Sequence, residues 1–117
     1  MPSRWMNALA LLGLTSACAT TQLASGRLER TEASIRAAEE VGALAVPDAR
    51  LHLQLAKDQT AQARKLADDG DDRAGVMLTR AQADADLAVA LAREATAHNE
   101  AARATEDLKA VKARGTP

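Results

Sequence analysis

Apolar residues recur every seven positions along the C-terminal part of the chain, and no proline interrupts them. The repeat consists of Val76, Ala83, Ala90, Ala97, Ala104 and Val111, with Leu87, Ala101 and Leu108 at intervening positions. A seven-residue apolar repeat places a seam along one face of an α-helix. The pattern therefore predicts a long helix over residues 71–113, about 65 Å in length at 1.5 Å per residue.

A second, shorter helix is predicted over residues 47–67. Its packing face covers roughly 200° of the helical wheel and consists of Leu51, Leu53, Leu55, Ala56, Thr60, Ala63, Leu66 and Ala67. Pro47 suits the first position of a helix. After residue 67, Gly70 can adopt the left-handed conformation that ends a helix, and Asp71 can cap the next one. The chain is predicted to turn back at this point.

Alternating spacings of three and four residues predict a first helix with a narrow seam. The seam consists of Thr21, Ala24, Leu28, Thr31, Ile35, Ala38, Gly42 and Ala45. We expect this helix to begin near Gln22–Ser25. It should end before Pro47, because the residue that precedes a proline avoids the α conformation.

Composition favours a fold built from helices alone. The 117 residues include 29 alanines and 15 leucines but no phenylalanine or tyrosine, a usage typical of helices rather than sheets. With 15 Lys+Arg against 16 Asp+Glu, the chain has no basic face suited to nucleic acid. We predict an all-α fold: a small antiparallel three-helix, coiled-coil-like bundle with one long C-terminal helix, preceded by a cleaved signal peptide.

The N-terminus has the three parts of an export signal. Arg4 precedes an apolar run over residues 5–14, and small residues follow. The run is shorter than the roughly 20 apolar residues that a transmembrane helix requires. Its end, Leu14-Thr15-Ser16-Ala17-Cys18, resembles the lipobox of bacterial lipoproteins, although Thr15 stands where leucine is preferred. The resemblance implies cleavage after Ala17 and lipidation of Cys18.

An ordinary secretory signal is the alternative, since Ala17-Cys18-Ala19 also fits the small-x-small rule. Cleavage after Ala17 or Ala19 would then leave a soluble protein or one with a free thiol. Cys18 is the only cysteine and has no internal disulfide partner, which favours lipidation. Ala19 is not the aspartate that retains many lipoproteins at the inner membrane. By resemblance, the outer membrane is therefore expected, with the protein facing the periplasm.

The chain is accordingly divided into four parts. Residues 1–17 are the predicted lipoprotein signal peptide and residues 18–22 a lipidated tether. Residues 23–113 form the predicted Ala-rich helical domain, and residues 114–117 a flexible tail.

Residues 47–90 carry a dense pattern of alanine and leucine around one Gly-Asp pair. The pattern consists of Pro47-x-Ala49-x-Leu51, Leu55-Ala56, Ala63, Leu66-Ala67, Gly70-Asp71, Ala74, Leu78, Ala81, Ala83-Asp84-Ala85 and Leu87-Ala88-Val89-Ala90. It resembles the DUF4398 family of bacterial envelope proteins over residues 28–97. The resemblance implies an Ala-rich helical hairpin, commonly with a lipoprotein signal, and no established biochemical activity.

Few residues are candidates for catalysis or metal binding. His52 lies within the predicted packing face of the second helix and is expected to pack rather than act as a base or ligand. His98 follows Glu94 by four residues, the spacing of a surface pair. The aspartates at positions 68, 69, 71 and 72 lack the alternate spacing and closing glutamate of an EF-hand loop. We expect a capping turn there, and no catalytic residue, metal or cofactor in the chain.

The expected function is that of a non-enzymatic structural or protein-interaction module of the cell envelope, held at the outer membrane by lipid on Cys18. The third helix is about twice as long as the second, so its C-terminal half is expected to overhang unless helix one or a second molecule covers it. We predict that Ala101, Ala104, Leu108 and Val111 bind an envelope partner or another copy of the chain. The alternative is a periplasmic carrier or holdase that binds an apolar ligand or client between helices.

Overall fold

Three α-helices make up nearly all of the part of the chain that the structure describes. The computed structural model describes the backbone of residues 16–115 and the side chains of residues 25–115. The helices are α1 (Ser16–Glu40), α2 (Pro47–Asp68) and α3 (Arg73–Arg114), with a 3-10 turn at Ala43–Ala45. No strand occurs within residues 16–115, so the predicted all-α fold is confirmed. The apolar run of the predicted signal peptide and the side chain of Cys18 lie outside the described residues.

Helix α1 begins and ends earlier than predicted. It starts at Ser16, so the predicted tether, residues 18–22, has helical backbone. At its other end, Gly42 has a left-handed φ of 84° and precedes the 3-10 turn. Val46 is extended, as expected for the residue before a proline, and Pro47 is the first residue of α2. The division of the chain into four parts stays a prediction.

The turn between α2 and α3 forms as the sequence predicts. Gly70 adopts a left-handed φ of 70°. The backbone N–H of Asp71 donates to the carbonyl of Leu66 at 2.8 Å, and that of Gly70 donates to Ala67 at 3.0 Å. These bonds satisfy carbonyls that the end of α2 would otherwise leave unpaired.

The helices form an antiparallel three-helix bundle. Ion pairs join Lys57 to Glu39 at 2.5 Å and Arg64 to Glu32, so α1 and α2 run in opposite directions. The Gln82 amide donates to Ser34 Oγ at 2.7 Å, and Arg27 approaches Gly75, seven residues earlier on each helix. Helix α1 is therefore parallel to α3. The predicted bundle with one long C-terminal helix is therefore confirmed.

Alanine, rather than leucine, fills most of the interior. The buried apolar residues are Ala38, Ala43, Ala49, Leu53, Ala56, Ala63, Ala74, Leu78, Ala81, Ala85, Ala88 and Ala92. Alanines recur every seven residues in both helices of the hairpin, at 49, 56 and 63 in α2 and at 74, 81 and 88 in α3. Small side chains at these positions allow the helix axes to approach closely.

The packing faces of α2 and α3 differ from those predicted. Leu51, Leu55 and Ala67 are exposed, so the buried arc of α2 is narrower than 200°. On α3, the predicted seam does not face the bundle, since Val76, Ala83, Leu87 and Ala90 are all exposed. A second repeat, running through Ala74, Leu78, Ala81, Ala85, Ala88 and Ala92, packs inside instead. Apolar spacings of three and four occur on two faces of this alanine-rich helix, and only one face meets α1 and α2.

The C-terminal part of α3 extends beyond its neighbours. Ala92 is the last buried residue, and every residue from Thr96 to Lys109 is exposed. The alternating spacing of the buried repeat continues through Ala95, Asn99, Ala102 and Glu106. Ala95 is half-buried, whereas the other three are exposed, so the face that packs on α1 and α2 ends near Ala95. The predicted overhang is present, and α1 does not cover it.

Candidate functional site

The four residues predicted to bind a partner lie together on the overhang, here defined as residues 96–114. Ala101, Ala104, Leu108 and Val111 are all exposed. Leu108 is 62% exposed and Val111 is 64% exposed. Contiguous exposed apolar patches, rather than single apolar side chains, mark interaction sites. Their binding role stays a prediction.

These residues belong to a longer stripe that runs along one side of α3 for nearly its whole length. We define the outer stripe by alternating spacings of four and three residues: Val76, Arg80, Ala83, Leu87, Ala90, Glu94, Ala97, Ala101, Ala104, Leu108 and Val111. Every member is exposed. At 100° per residue, the stripe lies on the side of α3 opposite the buried repeat. The seven-residue pattern that predicted this helix thus marks its solvent-facing side.

The grooves beside the helices are shallow and carry charged side chains. A groove of about 340 Å³ at the base of the overhang is lined by Val41, Arg93, Thr96, Ala97 and Glu100. A second, of about 260 Å³, lies between α1 and α3 and includes Arg27 and Arg30. A carrier for an apolar ligand needs a predominantly apolar lining. The lining of each groove includes two charged side chains and only one large aliphatic side chain, Leu78 in one groove and Val41 in the other.

His52 is part of a polar contact between α2 and α3. Its Nδ1 donates to Asp84 Oδ1 at 2.8 Å, and the Gln59 amide donates to Asp84 Oδ2, also at 2.8 Å. All three side chains are half-buried. The predicted packing role of His52 therefore includes a specific partner that the sequence did not reveal, because Asp84 lies 32 residues away. His98 and Glu94 are both exposed on α3.

The aspartate-rich turn has the geometry of a cap. Asp71 Oδ1 accepts the backbone N–H of Arg73 at 2.9 Å, and the Arg73 guanidinium donates to the same carboxylate. These hydrogen bonds lower the pKa of Asp71 from 3.8 to about 2. Among the described residues, no three His, Cys, Asp or Glu side chains are grouped closely enough to hold a metal ion.

Replacing Asp71 with alanine should lower the thermal stability at neutral pH. The pKa of Asp71 is lower in the folded chain, so its stabilising effect is full above the unfolded value of 3.8 and disappears as the pH falls towards about 2. The difference in melting temperature between wild type and Asp71→Ala should therefore shrink over that range. Asp69→Ala is the control, as its carboxylate lies in the same exposed turn without the contact to Arg73. If the melting temperatures of the two variants depend equally on pH, the stabilising effect does not come from the Asp71 carboxylate.

No helix among the described residues has both the length and the hydropathy needed to cross a membrane. A family model described as a domain of unknown function, DUF4398, matches residues 26–104. The match includes the hairpin, the outer stripe as far as Ala104 and the first half of the overhang. Comparison with curated proteins and with solved structures gives no match.

Proposed function

The chain belongs to the DUF4398 family, and we propose that it acts as a non-enzymatic structural or protein-interaction module of the bacterial cell envelope. In this proposal, lipid on Cys18 anchors the chain at the outer membrane, facing the periplasm. The lipobox-like segment Leu14–Cys18 supports the anchor. Two or three acyl chains hold a protein on a membrane far more firmly than one, since each buried methylene contributes about 0.8 kcal/mol.

The observation that carries the interaction role is the uncovered outer stripe. Most helical stability in proteins comes from packing an apolar face rather than from intrinsic propensity. Residues 96–109 lack such packing within the described chain, although Ala97, Ala101, Ala104 and Leu108 continue the stripe through them. A second molecule on this face would supply the missing contacts.

The directions of the helices support presentation of this face away from the membrane. Cys18 lies in the first turn of α1, and α1 is parallel to α3. Arg27 of α1 and Gly75 of α3 lie at about the same position along the bundle axis. Counting residues along both helices places Arg114 about 70 Å from Cys18 along the bundle axis. A lipid at Cys18 would leave the overhang at the distal end, accessible to partners.

A carrier or holdase is the rival proposal. Such a protein needs a groove lined by large apolar side chains, whereas the grooves between these helices contain Arg27, Arg30, Arg64 and other charged residues. The interaction module is therefore the better supported of the two.

The anchor is tested by replacing Cys18 with serine in the full chain, expressed in a bacterium with an outer membrane. We expect wild type to fractionate with the outer membrane and to gain the mass of a lipidated N-terminal cysteine. Cys18→Ser should lose both properties, whereas the control Thr20→Ser should keep them. Wild-type protein with an unmodified N-terminus at Thr20, or free in the periplasm, would refute the anchor.

A further inference from the structure

We infer that residues 25–34 of α1, here called the strap, release from the hairpin of α2 and α3 while the rest of the bundle stays folded. Of the strap residues, only Thr31 is fully buried. Its hydroxyl donates to the carbonyl of Arg27 in the same helix at 2.9 Å, so this donor is not available to the hairpin. Leu28, the one large aliphatic residue of the strap, is half-buried. Apolar packing therefore holds the strap weakly.

The C-terminal end of α1 is held differently. Ala38 is completely buried in one cluster with Ala49 of α2 and Ala92 of α3, and Ile35 packs against this cluster. Apolar burial, rather than charge, stabilises these contacts. We therefore expect this end of α1 to stay docked when the strap opens.

Shallow grooves flank the strap on both sides. The groove towards α3, of about 260 Å³, is lined by Arg27 and Arg30 among others. The groove towards α2, of about 280 Å³, is lined by Glu32 and Arg64 among others. Atoms that border a groove lack contact partners on that side and lose the corresponding dispersion attraction. The strap thus meets the hairpin along a narrow line.

Polar contacts join the strap to both helices of the hairpin. Glu32 pairs with Arg64 of α2, and the two side chains are 30% and 54% exposed. An ion pair this open to solvent favours docking by about fivefold at most. Ser34 Oγ accepts a hydrogen bond from Gln82 of α3 at 2.7 Å, but the carbonyl oxygen of Gln82 is buried and accepts none from the described residues. Docking therefore carries the cost of an unpaired oxygen.

A strap that opens also lengthens the connection to the proposed anchor. Residues 18–34 span about 25 Å as a helix and up to about 56 Å as an extended chain. A helical segment this short is marginal in water without packing, so the released strap can extend. The overhang would then reach partners about 30 Å farther from the membrane. This consequence rests on the proposed function, because it needs the lipid on Cys18, whereas the release itself does not.

Hydrogen exchange of the backbone amides, measured by mass spectrometry on the full chain in detergent, tests the release. We expect the amides of residues 27–34 to exchange at least about tenfold faster than those of residues 53–63 and 78–88, because local opening precedes unfolding of the bundle. Raising the salt concentration about tenfold should accelerate the strap by about threefold, since salt screens the pair of Glu32 with Arg64, and should leave the hairpin unchanged. Equal protection of strap and hairpin, or an equal effect of salt on both, would overturn the inference.

A charge exchange tests the polar contact independently. Glu32→Arg should accelerate exchange of the strap by about fivefold, because it places two arginines side by side. The double change Glu32→Arg with Arg64→Glu should restore the wild-type rate. Ala33→Arg is the control, since this exposed residue adds an arginine to the same turn of α1 without touching the pair. Acceleration by Ala33→Arg to the same extent, or failure of the double change to restore protection, would contradict the role of this contact.

The release and the anchor fail separately. Cys18→Ser lacks the site of lipidation, and its strap should exchange as fast as that of wild type. Fast exchange in a protein that is not anchored would support the release and remove only the longer reach. A fully protected strap in an anchored protein would overturn the release and leave the anchor.

Discussion

Replacing Ala88 with leucine should destabilise the bundle by about 1–3 kcal/mol, whereas the same change at Ala90 should cost little or nothing. Ala88 is completely buried and packs in one cluster with Ala49 and Leu53. Three additional heavy atoms there would force α2 and α3 apart. Ala90, two residues later, is exposed on the outer stripe.

Urea denaturation, followed by circular dichroism, measures both free energies of unfolding. Comparing the two variants shows which apolar repeat of α3 is buried, because both make the same alanine-to-leucine change within the same helix. If Ala90→Leu proves the more damaging, the repeat through Val76 and Val111 packs inside the bundle, as the sequence pattern alone could suggest.

Changing Leu108 and Val111 together to glutamate should abolish self-association or partner capture without unfolding the bundle. Both residues are exposed and lie beyond the last buried position, Ala92. Exposed substitutions usually alter the free energy of unfolding by no more than about 0.5 kcal/mol. Two charges placed in an apolar contact, in contrast, oppose its formation.

Melting of dilute protein tests the bundle, since association raises the melting temperature only at concentrations that favour it. Sedimentation tests association. Asn99→Glu with Ala102→Glu is the control: it adds the same charge to exposed positions off the outer stripe and should preserve association. If the variant with Leu108 and Val111 changed to glutamate is unfolded throughout, these residues belong to the intramolecular core.

The helix boundaries were predictable because local residues determine them. Pro47 cannot follow an α-helical residue easily and begins α2, and Gly70 supplies the left-handed conformation at the end of that helix. Asp71 then hydrogen-bonds to the start of α3. The end of α1 was less predictable, since Gly42 stops the helix five residues before the proline.

The contacts between helices were harder to predict. His52 was expected to pack, but its partner Asp84 is distant in sequence and becomes visible only when α2 and α3 are aligned. The buried face of α3 was assigned to the wrong repeat. The repeat that was expected to be buried contains the large side chains of Val76, Leu87, Leu108 and Val111. The repeat that is buried contains mainly alanine and one leucine.

By itself, the sequence determined that this chain is helical, where α2 and α3 begin, and that an apolar repeat continues to the end of the long helix. Only the tertiary structure decided which repeat is inside. Hydrophobicity favours the repeat with larger side chains, but close packing of two helices also rewards small ones. Alanines recurring every seven residues in both α2 and α3 allow that close approach, so the larger residues of the other repeat remain outside.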